Sequence, residues 1–466
     1  MKRAFLLLAL LLPIQAFADP YCTNGTSQLT SAGVTGATII CRVQFDTTNV
    51  SGEAYDHYVD IIYPTAIGVG NSTAPIIVMG TGVGFGAVNM VPSYRLFEYS
   101  PVFTQQLISA GFVLYLPYTT LSATGSLTSA ASSSATSISI QPYIGTASYY
   151  PNGSVCNTNG ATYPAAPTFP ALCAYSYPYT VIIDEGTANQ EVVSVTADNG
   201  TSSYPLTLTV SALAHNHSIG AIVDVPKTQW PAPLCTRMSF LSWLNATAGK
   251  GSYPGNPGDV RYWAASSDSQ IAMMSLYTTG YLSSRPANSS WWDSINSGYG
   301  PTCTSNNSGP VPAFRASVFV SDPLELTWMT TPADNFQGVP NVRTLLGCTP
   351  GVDSGCNTFA SAWASPANIA TGTVPTLLQV GTLDYMTPIC ISGGGCPAAG
   401  NEYATWQSNY NSKGLNYQVW TGEDHGCNSI NNAFGVPEAQ PAQFEMLMQH
   451  MGSKPSGMTS AAGGLW

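Results

Sequence analysis

Val260-Arg261-Tyr262-Trp263-Ala264-Ala265-Ser266-Ser267-Asp268-Ser269-Gln270-Ile271-Ala272 is an apolar run, a turn of small residues and the start of a second apolar pattern. Val260 to Ala264 reads as a strand buried on both faces, the mark of a parallel sheet covered by helices. A helix is expected from near Ser269, with Ile271 and Ala272 where apolar helix residues pack on a sheet. Between the two, Ser266 occupies the sharp strand-to-helix elbow on which a nucleophilic hydroxyl is exposed. The usual elbow pattern G-x-S-x-G is replaced here by Ala264-Ala265-Ser266-Ser267-Asp268. Alanine is a mild change for the first glycine, whereas Asp268 puts bulk and charge where the second glycine stands. Ser267, flanked two residues away by Ala265 and Ser269, is the rival nucleophile.

Two segments further along supply partners for such a serine. Val374 to Val380 is a buried strand, and the pattern G-x-x-D-x-x-x-P that follows it, Gly381 to Pro388, places Asp384 just past the strand end. An acid in that position orients a base and stabilises its protonated form. The strand Tyr417 to Trp420 leads into Thr421-Gly422-Glu423-Asp424-His425-Gly426, which offers His425 as the base. The chain order Ser266, Asp384, His425 is the one this strand-and-elbow architecture imposes. The chain has 5 histidines, so the rivals are quickly ranked. His57 precedes the sheet, His215 and His217 lie in a separate β-rich block, and His450 belongs to a terminal helix. His215 and His217 bring no third ligand pattern for a metal, and are read as plain surface residues.

Upstream, His57 to Pro64 is strand-like, and Ile76 to Met79 is an apolar strand that ends in Gly80-Thr81-Gly82-Val83-Gly84. A helix over about Tyr99 to Ala110 leads into the strand Phe112 to Leu116. An oxyanion hole is built from main-chain amides, one just after the nucleophile and one in the loop after the early strand. Ser267 and either Thr81 or Gly82 hold those places. Helices are also expected around Met238 to Ala248, Asn401 to Ser412 and Ala442 to Met451, with a further strand over Phe314 to Val320.

From Leu121 the texture changes to Ser, Thr, Ala and Gly, and sheet-helix alternation returns only near Pro233. Ser137 to Gln141, Tyr179 to Ile183, Glu191 to Thr196, Leu206 to Val210 and Ala221 to Val225 read as short strands between Gly, Asn and Pro turns. The organisation expected is therefore an α/β core, doubly wound with a mostly parallel sheet, over residues 19–120 and 229–466, and an inserted all-β module over 121–228. The module resembles, over about 90 residues, a small β-module of phage tail and fibre proteins, a likeness carried by its tail from Leu206 to Ala221.

The core, residues 57 to 120 plus 235 to 451, resembles the secreted esterase, lipase and dipeptidyl-peptidase-like branches of the α/β-hydrolase superfamily, particularly bacterial carboxylesterases related to feruloyl and acetyl-xylan esterases. The Ser365 to Pro388 segment and the His425 loop carry the resemblance most specifically; the elbow departs furthest from it, and Met79-Gly80-Thr81 stands where many relatives have His-Gly-Gly. The resemblance implies two-step acyl transfer with no metal or organic cofactor. It favours an ester substrate over a peptide, since the chain lacks the propeller or amine-binding arm of peptidase relatives. A serine peptidase of the same fold is one alternative; another is a catalytically inactive binding protein, suggested by Asp268 beside the elbow. The β-module leaves the core on the carboxyl side of a strand, the edge where open α/β sheets hold ligands. It is expected to overhang the pocket, or to grip a polymeric substrate such as a polyester or an esterified polysaccharide. Trp291 and Trp292 are candidates for an apolar substrate platform, with core packing as the alternative.

Composition sets the remaining bounds. Of the 466 residues 44% are hydrophobic and only 8% charged, with a formal net charge of -11, so no basic stripe is present to meet a phosphate backbone. Lys2, Arg3, the apolar run Ala4 to Leu12 and Ala16-Phe17-Ala18 read as a signal peptide over residues 1–18. No later apolar stretch is long enough for a membrane span. All 11 cysteines follow that segment, as disulfides in an exported protein require. The close-spaced pairs are Cys22/Cys41, Cys156/Cys173, Cys348/Cys356 and Cys390/Cys396, leaving Cys235, Cys303 and Cys427; spacing alone does not fix the connectivity.

Overall fold

The computed structural model describes residues 24–46, 57–81, 101–118, 124–142, 177–199, 205–277, 289–295, 298–301, 303, 307–320, 325–327, 338–366, 374–381, 415–420 and 440–448. The segment 1–18, the helix expected over Asn401 to Ser412, Gly82, Asp384 and His425 lie outside them.

Strands β1 (Ala37–Gln44), β2 (Tyr58–Pro64), β3 (Ile76–Thr81) and β4 (Val113–Pro117) join β11 (Val260–Ala265), β12 (Phe314–Val320), β13 (Thr376–Gly381) and β14 (Leu415–Trp420) in one sheet. Its order is β1-β2-β4-β3-β11-β12-β13-β14. From β4 to β14 every neighbouring pair is parallel, and only β2 runs against its neighbours. Parallel strands need crossovers on the faces, and both faces are covered accordingly. Ile77, Met79, Leu114, Leu116, Trp263 and Val318 meet helices Pro101–Ser109 and Gln440–Met448 on one side. Ile76, Val78, Val113, Tyr115, Tyr262 and Ala264 meet helices Ala232–Thr247 and Ser267–Tyr277 on the other. The alternation of odd and even positions follows from the two-residue period of a strand.

The strands between β4 and β11 form a second unit of structure. β5 (Thr124–Leu127), β6 (Ser137–Pro142), β7 (Tyr179–Ile183), β8 (Glu191–Asp198), β9 (Leu206–Val210) and β10 (Ile222–Asp224) close into a barrel in the order β10-β5-β6-β9-β8-β7. Ile138, Ile140, Val181, Ile183, Val193, Val195, Leu206 and Leu208 fill its interior. Closure leaves no open strand edge, and along β6, β8 and β9 the inward Ile, Val and Leu alternate with outward Ser and Thr. Ile182, on the opposite parity, packs instead with Trp230, Leu234, Trp291 and Trp292 of the helical layer.

That junction is polar as well as apolar. Asp224 accepts hydrogen bonds from Thr124 Oγ1 at 2.6 Å, Gln229 Nε2 at 3.0 Å and Arg343 Nη2 at 2.6 Å. Arg343 also bonds Glu185 Oε2 at 3.1 Å, and Trp291 Nε1 donates to Glu185 Oε1 at 3.0 Å. Burial pushes the Glu185 carboxyl up to about 7, with Arg343 pulling the other way.

Two disulfides tie the helical layer, Cys235–Cys303 and Cys348–Cys356, and Cys41 is disulfide-bonded as well. The first joins two cysteines that close spacing had left over. Among the described residues no helix is long and apolar enough to cross a membrane, and no group of His, Cys, Asp or Glu is arranged to hold a metal ion.

Candidate active site

β11 is central in the sheet and wholly buried, so its carboxyl end is held from both sides. Ser266 follows it directly and adopts φ 54°, one of 4 non-glycine residues with positive φ among those described. For an L-residue this left-handed conformation costs roughly 1–2 kcal/mol and persists only where the surroundings dictate it. Here the Ser266 amide donates to the Val320 carbonyl at 2.8 Å, pinning the turn to the end of β12. Helix Ser267–Tyr277 begins on the next residue, two positions earlier than the sequence pattern placed it. The main chain thus turns through a strand, one left-handed serine and a helix, with Ser266 only 5% exposed. Ser267, whose φ is not positive, opens the helix, and amides there point outward along the helix axis.

β3 lies beside β11 in parallel register, Ala264 opposite Gly80 and Ala265 opposite Thr81. The end of the glycine-turn strand and the elbow therefore emerge side by side. Thr81 closes β3; Gly82 lies outside the described residues.

Asp268, the residue that breaks the elbow pattern, has a buried partner that local sequence could not reveal. Arg237 of helix Ala232–Thr247 grips it with Nη2 to Oδ1 at 2.6 Å and Nη1 to Oδ2 at 3.0 Å, and also bonds the Tyr262 hydroxyl. Burial pulls the guanidinium down in pKa, but the adjacent carboxylate outweighs it and holds Arg237 more firmly protonated than usual. The charge of Asp268 is thus compensated beneath the elbow rather than set free beside Ser266.

A second buried chain runs under the site. Trp263 Nε1 donates to Gln443 Oε1 at 2.9 Å, and Gln443 Nε2 donates to Gln379 Oε1 at 2.6 Å. It links β11, helix Gln440–Met448 and β13, the strand after which Asp384 follows in sequence.

Asp384 and His425 lie outside the described residues. Their parent strands do not: β13 and β14 run parallel to β11, so the chain leaves both at the sheet edge where Ser266 stands. Trp291 and Trp292 are 4% and 0% exposed, packed with Phe359 and Leu345 and with their indole nitrogens given to Glu185 and Gln229. They are core of the barrel junction and not an open platform.

His217 also departs from expectation. It is buried in the barrel, with Nδ1 2.6 Å from Asp184 Oδ2 and Nε2 2.6 Å from Glu191 Oε1. Burial opposes its charge and the two carboxylates outweigh burial, so its pKa is raised. It clamps its own loop to Asp184 just past β7 and to Glu191 at the start of β8; His215 is exposed as read.

No protein-family model matches the chain, and no curated protein does. Solved structures do. Esterase B from Lactobacillus rhamnosis HN001 is 10% identical over 91% of this chain and 90% of its own, with a TM-score of 0.45. A truncated carbohydrate esterase from gut microbiota is 12% identical over 88% and 95%, with a TM-score of 0.43. An esterase of the bacterial hormone-sensitive lipase family is 12% identical over 91% and 89%, with a TM-score of 0.42. At that distance in sequence and shape nothing is carried over from them to the residues of this chain.

Proposed function

We propose that this chain is an exported serine hydrolase of the α/β-hydrolase type that cleaves carboxylic esters through an acyl-enzyme. The observation that carries the reading is Ser266 in the left-handed conformation between the carboxyl end of a central strand and the first residue of a helix. A strained serine held there by its neighbours is the arrangement that presents a nucleophilic Oγ.

Ser266 Oγ attacks the ester carbonyl while His425, oriented by Asp384, takes its proton and delivers it to the leaving alcohol. Water then enters by the same base and releases the acid. The negative oxygen of each tetrahedral intermediate is met by the amides of Ser267 and of Thr81 or Gly82. Asp384 follows β13 and His425 follows β14, both strands ending on the Ser266 edge, which supports the two assignments. β4 ends on that edge too, and the chain passes from it toward the barrel. The barrel over 121–228 is accordingly assigned to overhanging the site or holding an extended substrate, a polyester or an esterified polysaccharide.

Labelling with a fluorophosphonate tests the reading, since the probe needs an activated serine. Reaction is expected in the full chain and in Ser267→Ala, and is lost in Ser266→Ala, Asp384→Asn and His425→Gln. Labelling that survives Ser266→Ala removes the assignment. A panel of p-nitrophenyl esters, an insoluble polyester and a feruloylated xylan then ranks the substrates. Deletion of 125–228 is made together with Arg343→Met, which removes the buried cation whose partners Asp224 and Glu185 the deletion takes away, and unchanged turnover of soluble and insoluble esters in that variant would remove the role given to the barrel.

A further inference from the structure

We infer that Arg237 and Asp268 form a positioning pair that sets the distance between the serine elbow and the strand end beside it, and with it the width of the oxyanion hole. The inference rests on the esterase reading and deepens it. Asp268 stands two residues beyond Ser266 in the first turn of helix Ser267–Tyr277. Its carboxylate fills the space of the side chain that Gly80 lacks, because a Cβ built on Gly80 would fall 1.4 Å from Oδ2 and 2.3 Å from Cγ. Gly80 pairs with Ala264, and the next residue, Thr81, pairs with Ala265 just before the nucleophile.

The carboxylate is therefore a spacer between the elbow helix and β3, the two elements that carry the proposed amide donors. Arg237 fixes that spacer. Its two nitrogens meet both carboxylate oxygens, a fork geometry that sets the plane of the carboxylate as well as its place. Tyr262 of β11, bonded to the same guanidinium, ties the assembly to the strand under Ser266. Glycine in the second glycine's place of the elbow pattern would leave this spacing to backbone contact; here the Asp268 carboxylate, seated where Gly80 has no side chain, performs it. Arg237 and Asp268 are assigned a positioning role, acting through the backbone that holds Ser266 and Thr81.

The test counts active sites by fluorophosphonate titration and reads kcat per titrated site on p-nitrophenyl acetate, with melting followed in parallel. Arg237→Met is expected to lower kcat per site about tenfold or more with KM within about threefold, as a displaced oxyanion donor requires. Arg237→Lys, which keeps the charge without the fork, should recover only part of it. The double variant Arg237→Met/Asp268→Asn, which removes both buried charges, should melt closer to the parent and still turn over slowly. A merely structural pair would lower the melting temperature and the number of titratable sites and leave kcat per site within about twofold, and that result overturns the inference. If Arg237→Met does not fold, Gly80→Ala pushes the same carboxylate from the other side and is read in the same way. A parent chain that neither labels nor hydrolyses any ester sinks the esterase reading itself; normal kcat per site in the variants of an active parent sinks only the positioning role.

Discussion

The amide of Ser266 is bonded to the carbonyl of Val320 at 2.8 Å while Ser266 holds φ 54°, so the end of β12 clamps the elbow in a conformation its side chain disfavours. Glycine adopts that conformation without penalty. Ser266→Gly should therefore be more stable than Ser266→Ala by about 1 kcal/mol, with neither variant labelled by the probe. Paired thermal melts decide the point, and equal melting temperatures would show that the elbow stores no strain.

Trp292 is fully buried and gives its indole N–H to Gln229, which in turn bonds Asp224 of the barrel. Trp292→Ala should cost about 3–5 kcal/mol through the cavity and the orphaned amide. Ester selectivity in the surviving folded fraction should not change. A shift in chain-length preference with unaltered melting would return the residue to the substrate site.

His217 carries a raised pKa, so its stabilising share is complete below its ordinary 6.5 and is lost as pH climbs through the higher folded value. Glu191 carries a lowered one, so its share is present above 4.5 and lost as pH falls. The clamp is strongest between these limits. His217→Gln should remove about 3 kcal/mol near neutral pH, leaving Asp184 and Glu191 facing each other, and should flatten the alkaline limb of the melting profile.

Glu185 behaves differently, since burial raises its carboxyl from 4.5 to about 7. An acid with a raised folded value favours the fold when protonated, so that contribution is full below pH 4.5 and is lost by about pH 7. Glu185→Gln, a copy of the protonated form, should hold the junction equally well at both ends of that window. Melting temperatures of parent and variant should therefore diverge by an amount equivalent to about 3 kcal/mol on going from acid to neutral pH. Parallel profiles would contradict the assignment.

How much of this was legible beforehand depends on the range of the physics involved. β3, β4, β11 and β12 announce themselves because strands buried on both faces leave uninterrupted apolar runs. The elbow is legible because small residues between a strand and a helix are a local pattern. β1 and β5 went unread: Ala37–Gln44 carries an arginine and a register shift, and Thr124–Leu127 is made of Thr, Gly, Ser and Leu. Helix Ala232–Thr247 starts six residues before the expected Met238, because Pro233 suits a first helical turn that composition alone marks as a break. Pairings across long stretches leave no local trace. Arg237 finds Asp268 at a separation of 31, His217 finds Asp184 at 33, and Cys235 finds Cys303 at 68, so an odd elbow, two surface histidines and unassigned thiols were what spacing suggested.

The barrel's first and last strands are bonded to each other, Thr124 opposite Asp224. Entry and exit therefore share one doorway, about 5 Å across, the spacing of paired residues on adjoining strands. The chain thus enters and leaves the barrel at one place without stretching the sheet it departs from. Energetically the two parts are coupled, because Arg343 and Gln229 look into that doorway for their partners, and a host without the barrel loses both Asp224 and Glu185 from a buried guanidinium.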